Sequence, residues 1–445
     1  MNLYSLLKSR AAENRPIRVG LIGAGKFGSM FLSQARRTPG LQVMGIADLS
    51  VDRAKDALRT TGWPDEVQTH SFADALQSGG THLTVDAGAL IAADGMDIII
   101  DATGDPAAGI RHVLACCEQR RHIVMVNVEA DALAGPLLAQ KARDAGIVYS
   151  LAYGDQPALI CEQVDWARTC GFNVVAAGKG TLYMPEFHNS TPETVWGHYG
   201  LTAERAAESG LNAKMFNSFL DGTKSGIEMA AVANATDLKV ATDGLAFPPC
   251  EVEKLAKTLI PASDGGCLES AGMVEVVSSR SRSGEDLEQD LRWGVYVTFE
   301  GDSDYVERCF SDYGLITDET GRYSSLWRPY HMIGLELGIS VASVALRGEA
   351  TGAPIAFTGD VVATAKCDLK AGEILDGEGG YTVWGKLMPA KDSLAIGALP
   401  IGLAHGVALT KDIPAGSPVT WDAVGIDEND PTVKFRREME RTFSG

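Results

Sequence analysis

A chain of 445 residues exceeds what one hydrophobic core accommodates and predicts two or three domains. With 45% hydrophobic and 22% charged residues, the composition is that of an ordered globular protein and excludes a largely disordered one. A net charge of −19 with no offsetting basic cluster argues against nucleic acid or anionic membrane as partners, and an anionic substrate therefore needs a local basic pocket.

The first segment, "MNLYSLLKSRAAENRP", has neither the apolar core nor the cleavage signature of a signal peptide and reads as a short capping helix. Residues 17–22 are an apolar strand leading into a glycine turn and an amphipathic helix, "GAGKFG". Gly23, Gly25 and Gly28 meet the G-x-G-x-x-G pattern, with Lys26 and Phe27 at its variable positions. The first glycine permits the tight turn, the second lets the backbone approach a pyrophosphate, and the third lets helix and strand pack closely. The free N–H groups and positive dipole of the following helix suit phosphates. A plain turn is the bland alternative, but the context favours a dinucleotide site. A second strand ends in Asp48, about twenty residues on, where a ribose-binding acid belongs. A free Asp48 carboxylate suits NAD, whereas Ser50, Arg53 and Lys55 suit a 2′-phosphate, so the sequence permits both NAD and NADPH.

Further strands are predicted in 96–106 and 122–131, with helices over 51–60, 71–78, 86–93, 106–120 and 132–146. This alternation makes an α/β fold, a doubly wound parallel sheet of Rossmann type over 1–150. Thr103, Gly104, Asn127 and Glu129 then fall at strand ends, where such sheets bind ligands.

From 151 to 325 the pattern predicts an α+β catalytic domain. A helix follows Asp155, its expected N-cap, and "NVVAAGKGTLYM" is a strand carrying Lys179 towards its end. "PEFHNSTPETVWGHYGLT" reads as an active-site loop or lid; His188, near Glu186, is the best of the single histidines, which include His198 and His331. Residues 216–235 read as one apolar helix. At about 100° per residue, Asn217, Asp221, Lys224 and Glu228 share one narrow stripe of it. A solvated face with an Asp221–Lys224 and a Lys224–Glu228 pair is the bland reading. The apolar surroundings favour a site instead. Lys224 would hold a phosphate or carboxylate beside Asn217 and Ser218, Asp221 and Glu228 would move protons or ligate a divalent cation, and Lys179 is a second cation. Two strands around a charged loop follow.

Residues 326–352 are expected to return as a helix onto the first domain, with Arg328 and His331 at its start. From 353 to 445, short strands and frequent turns predict a separate β-rich module containing two similar stretches, "DLKAGEIL" and "DIPAGSPVT", followed by an exposed tail helix. The eight cysteines show neither CxxC nor zinc-site spacing and read as packed thiols of a cytoplasmic protein, and no apolar run reaches membrane-spanning length.

The tail from "ATAKCDLKAGEIL" to "LTKDIPAGSPVTWDAV" resembles a SAF domain of the β-clip class. The glycine turn, "DATG", "GDQPALICE" and "RPYHMIGLELG" resemble homoserine dehydrogenase-like oxidoreductases. Together the modules are similar to the deoxyxylulose phosphate reductoisomerase-like enzymes. That resemblance implies NADPH-dependent isomerisation and reduction of 1-deoxy-D-xylulose 5-phosphate to 2-C-methyl-D-erythritol 4-phosphate in isoprenoid synthesis. It also implies a homodimer, a Mg or Mn ion and inhibition by fosmidomycin. "NSFLDGTKSGIE" resembles the phosphate- and metal-binding run of the ordinary reductoisomerase through Ser218, Lys224 and Glu228, but has Thr223 in place of Asn and one extra residue before the Glu. The ordinary enzyme's Asp-x-Glu metal motif has Asp155 as its nearest counterpart, so the implied metal ligands are Asp155 and Glu228. Glu129 stands where homoserine dehydrogenases carry a lysine, which argues against homoserine. The alternatives are a homoserine dehydrogenase-like oxidoreductase acting on another small carbonyl or polyol, and a non-catalytic dinucleotide- or sugar-binding protein.

Overall fold

A computed structural model describes residues 2–444. The chain forms two compact units, one from the chain up to Leu159 with His331–Ile355, the other from Ile160–Tyr330 and the chain from Ala356 on. Among the described residues no helix is long and apolar enough to cross a membrane.

The first unit is built on seven parallel strands: β1 (Ile17–Ile22), β2 (Leu41–Ala47), β3 (Gln68–Thr69), β4 (Thr81–Thr84), β5 (Ile98–Asp101), β6 (His122–Met125) and β7 (Tyr149–Leu151). Their order, β3-β4-β2-β1-β5-β6-β7, reverses direction at β1, so the ligand crevice of such a sheet opens between the ends of β1 and β5. Val19, Leu21, Ile98, Ile100 and Val124 form a buried centre shared with Phe31 and Leu32 of the helix Lys26–Ala35. Leu3 and Leu7 of the first helix and Val341 and Val344 of the helix Gly338–Arg347 join the same core.

The predicted helices form with ends shifted by a residue or so, except the last. It spans Val128–Asp144 because the Asn127 side chain accepts the Ala130 N–H and starts it early. Glu129 is thus in a first helical turn, not at a strand end. The expected return helix is also shorter. Residues 323–328 form a strand, leaving Arg328 at a strand end and His331 outside the helix Gly338–Arg347.

In the second unit β8 (Asn173–Thr181), β9 (Met273–Ser278), β10 (Val295–Glu300) and β11 (Tyr323–Arg328) form a sheet in the order β11-β10-β8-β9. The helix Thr223–Thr236 is buried along nearly its whole length. It packs against β9 and against two strands of the C-terminal segment, β12 (Gly359–Ala365) and, after β13 (Ile374–Asp376), β14 (Val383–Pro389). Gly226 permits that approach: a Cβ there would lie 2.9 Å from the Gly385 carbonyl oxygen. Residues 216–235 are therefore not one helix. The chain breaks between the helices Ala213–Leu220 and Thr223–Thr236, where Gly222 takes φ +92°.

The similar stretches of the C-terminal segment pair with each other reciprocally. Leu369 and Ile413 exchange both backbone hydrogen bonds, Asp368 accepts the Ala415 N–H, and Asp412 accepts the Ala371 N–H. Residues from 356 onward share one compact unit with 160–330. The tail helix Pro431–Phe443 is not exposed. It buries Val433, Phe435 and Met439, and its Arg436 is fully buried against Asp360 of β12 at 2.6 and 3.0 Å. Arg436→Leu leaves Asp360 charged and unpaired, so urea unfolding should show a loss of about 3–5 kcal/mol, largely recovered when Asp360→Leu is added.

Candidate active site

In the first unit the glycine turn has the geometry a pyrophosphate requires. Gly23 adopts φ +98°, a Cβ on Gly28 would meet the Gly23 carbonyl oxygen at 2.3 Å, and a Cβ on Gly25 would meet nothing within 4 Å. The side that stays open belongs to Gly25, which caps the helix Lys26–Ala35 without a side-chain hydrogen bond. Lys26 is exposed and Phe27 half-buried beside it. Asp48 is committed: one carboxylate oxygen accepts the Ala24 N–H at 2.8 Å, and the other accepts the Ser50 N–H and lies 3.4 Å from Arg53 Nε. It braces the turn, and its charge is offset by Arg53. On the facing rim, Thr103 donates to Asp101 from its N–H and its hydroxyl, Asn127 donates to Thr103 Oγ1 at 3.1 Å, and Gly104 has open space around it. The fold thus assembles the predicted cofactor residues at the ends of β1, β2, β5 and β6.

In the second unit the expected stripe is rearranged. Asp221 ends one helix and, just ahead of the Gly222 N-cap of the next, accepts the Thr223 N–H at 2.9 Å. Its carboxylate lies 2.8 Å from Lys366 Nζ, not on Lys224. Lys366, buried in the C-terminal segment, also donates to the carbonyls of Ser190 and Gly380. Burial lifts the Asp221 carboxyl above its ordinary value while Lys366 pulls it down. Glu228 pairs with Lys179 of β8, both buried. Lys224 is half-buried in the first turn of its helix.

Asn217 and Ser218 do not face a ligand. Asn217 is fully buried, donating to the Ser190 and Gly379 carbonyls and accepting the Ser190 hydroxyl, and the Ser218 hydroxyl donates to Met215 within its own helix. The segment after β8 is no free lid, since Phe187, Val195 and Trp196 form a hydrophobic cluster with Leu182 and Leu220.

The expected metal ligands fit poorly. Glu228 is neutralised by Lys179, Asp221 by Lys366, and Asp155 accepts the Gln156 N–H; among the described residues no three His, Cys, Asp or Glu side chains are grouped to hold an ion. A divalent cation needs several oxygens whose charge is not already shared.

His188 stands at the centre of a network the sequence did not reveal. Its Nδ1 faces the Asp221 carbonyl oxygen at 2.7 Å, so Nδ1 carries the proton and Nε2 accepts from the Tyr183 hydroxyl at 2.9 Å. Burial lowers its pKa and holds the ring neutral. Trp384 stacks on His188, and Phe247 stacks on Tyr183 at 4.0 Å. His188, Phe247, Trp384 and Lys386 line a cavity of about 230 Å³. Phe247 sits at φ +50°, held from both sides: Glu275 accepts the Ala246 and Phe247 N–H groups, and Arg282 donates to their carbonyls. A second cavity, about 410 Å³, is lined by Glu186, His198, Tyr199, Arg280 and Arg292 among others.

Residues 154–337, less than half of the chain, match the family described as "Oxidoreductase DRL, catalytic domain". A curated 1-deoxy-D-xylulose 5-phosphate reductoisomerase of Pseudomonas syringae pv. syringae (strain B728a) is 29% identical over 206 residues, 41% of this chain and 52% of that protein. The chain thus spans about half the length of this curated relative. Among solved structures, the Zymomonas mobilis 1-deoxy-D-xylulose 5-phosphate reductoisomerase in complex with NADPH is similar at 21% identity, TM-score 0.34, covering 49% of this chain and 57% of that one. A homoserine dehydrogenase from Thiobacillus denitrificans is similar at 17% identity, TM-score 0.35, covering 50% and 49%. Likenesses at those TM-scores do not bear on function. The chain is distantly related to NAD(P)-binding oxidoreductases of the Rossmann superfamily.

Glu275 gives the cavity wall a pH dependence. Burial pushes its carboxyl from 4.5 up to about 7, against its three N–H donors and Arg282. The folded state holds this proton more tightly than the unfolded chain, so the stability tied to it is full below about pH 4.5 and lost as the pH rises through about 7. Unfolding free energies of wild type and Glu275→Gln should therefore diverge progressively across that window, wild type losing ground with rising pH. A pH-independent difference would contradict the assignment.

Proposed function

We propose that the protein is an NADPH-dependent reductoisomerase that rearranges and reduces 1-deoxy-D-xylulose 5-phosphate to 2-C-methyl-D-erythritol 4-phosphate, acting as a cytoplasmic homodimer in isoprenoid synthesis. The observation that carries the proposal is the match of 154–337 to an oxidoreductase catalytic domain, which contains the buried Lys179–Glu228 pair and Asp221. The similarity to the Pseudomonas syringae reductoisomerase supports the substrate.

When bound, NADPH would supply the hydride that reduces the aldehyde formed by the rearrangement. The turn at Gly23, Gly25 and Gly28 and the N–H groups of the helix Lys26–Ala35 would hold its pyrophosphate. Asp48 is spent on Ala24 and Ser50, which leaves Arg53 and the Ser50 hydroxyl at the ribose end to receive a 2′-phosphate; this favours NADPH over NAD. In the second unit Lys179 Nζ holds a proton beside the Glu228 carboxylate, a pair able to give and take protons at substrate oxygens. Lys224 and His188 remain substrate-binding proposals, with Arg328 and His331 less supported because they occupy no common helix start. A second reading is a dehydrogenase of another small phosphorylated carbonyl or polyol, without rearrangement. It is favoured by the committed carboxylates of Asp155 and Glu228, and no step is assigned here to a protein-held metal.

NADPH oxidation by the purified protein with 1-deoxy-D-xylulose 5-phosphate, with and without Mg²⁺ or Mn²⁺, should be detectable and suppressed by fosmidomycin. Oxidation only with other carbonyl compounds would select the second reading. In the active protein, Arg53→Ala should raise KM for NADPH about tenfold, the loss of one charge-assisted contact, while KM for NADH changes less than about twofold.

A further inference from the structure

Of the residues the sequence suggested around the substrate phosphate, Asn217 and Ser218 are spent inside the protein and do not serve as hydrogen-bonding neighbours of Lys224 there. We propose that the 410 Å³ cavity is the phosphate site, with Arg292 as its principal ligand and Arg280 as the second; this rests on the reading that the substrate is a small phosphorylated compound.

Arg292 lies over two aromatic rings. The residue is half-buried, and its guanidinium lies 5.8 Å from the ring centroid of Tyr199 and 5.0 Å from that of Trp293. Among the described residues its side chain makes no ion pair within 4 Å and donates no hydrogen bond, although Asp286 is near enough to feel its charge; its backbone N–H is engaged by Asp290. Aromatic faces position a guanidinium without consuming its fork of N–H donors, the geometry that suits a phosphate. Arg280 is tied through Nε to Asp286, an acid 75% exposed, and its two Nη groups have no partner among the described residues. His198 packs on Phe187 in the same lining, and Glu186, the one acid of the lining, is exposed. The cavity therefore gathers two guanidiniums and an imidazole in a protein of net charge −19. Its volume, about 410 Å³, falls in the range of small-molecule pockets and is large enough to admit a small sugar phosphate. The other buried cations do not compete: Lys179 and Lys366 each have a carboxylate of their own.

The test is calorimetric titration of inorganic phosphate into the full chain as wild type, Arg292→Ala, Arg292→Lys and Arg280→Ala. Wild type should bind with an affinity that falls as salt rises. Arg292→Ala should weaken binding about tenfold or more, with Arg292→Lys intermediate and Arg280→Ala weakened less. In turnover, Arg292→Ala should raise KM for the phosphorylated ketose to a similar extent while kcat changes less than about threefold. Phosphate binding that is absent in wild type, or unchanged in Arg292→Ala, overturns the site. If Arg292→Ala does not fold, equal binding by Arg292→Lys, Arg280→Ala and wild type overturns it instead. The two readings separate cleanly. Turnover of 1-deoxy-D-xylulose 5-phosphate with an unchanged KM in Arg292→Ala discards the site and keeps the reductoisomerase. Arg292-dependent phosphate binding without that turnover keeps the site and discards the reductoisomerase.

Discussion

The second unit depends on what Asp221 holds. One residue closes a helix, accepts the first N–H of the next, presents its carbonyl to His188 and pairs with Lys366 from the C-terminal segment. Lys366 in turn draws in the carbonyls of Ser190 and Gly380. Removing either charge would strand the other in a low-dielectric interior, a cost of several kcal/mol, so the arrangement persists only as a whole. The loop after β8, the helix Thr223–Thr236 and the C-terminal strands thus converge on a single ion pair. The segment beyond 356 supplies Trp384, stacked on His188, and Lys386 to the cavity at that histidine.

Charge is handled differently in the two units. In the first, an acid braces a turn: Asp48 accepts the Ala24 and Ser50 N–H groups and is offset by Arg53, leaving the helix N-terminus open at Gly25. In the second, buried charges are paired: Asp221 with Lys366, Glu228 with Lys179, and Arg436 with both Asp360 and Glu440. Pairing makes burial tolerable and also removes those carboxylates from competition for a divalent ion.

What the sequence revealed follows from how local each signal is. The glycine turn, the strands ending at Ala47 and Asp101 and most helices of the first unit are written in hydrophobic period and cap residues close in sequence. The single helix over 216–235 was the principal error, and a local signal opposed it: Asp221-Gly222 is a turn dipeptide that outweighs apolar periodicity. The partners of the charged residues were illegible for another reason. Lys366 reaches Asp221 across 145 positions and Lys179 reaches Glu228 across 49, contacts no periodicity encodes. The i,i+3 and i,i+4 pairs of the bland reading are the weak default when nothing distant is known, and Asp221 and Glu228 form buried pairs with distant lysines instead.

The same distinction decides which cations are available to a ligand. A lysine that fixes a fold must be saturated, and Lys366 is, with a carboxylate and two carbonyls around one ammonium. A residue that receives an anion must be positioned with N–H donors left over, and an aromatic face positions a guanidinium without occupying any of them. Arg292 between Tyr199 and Trp293 meets that condition. The Tyr199 phenol beside it is pushed up to about 12 by burial and so stays neutral at working pH, adding no charge that would compete with an incoming anion. In a protein whose overall field repels anions, local positive charge left uncancelled by its neighbours is the condition for binding one.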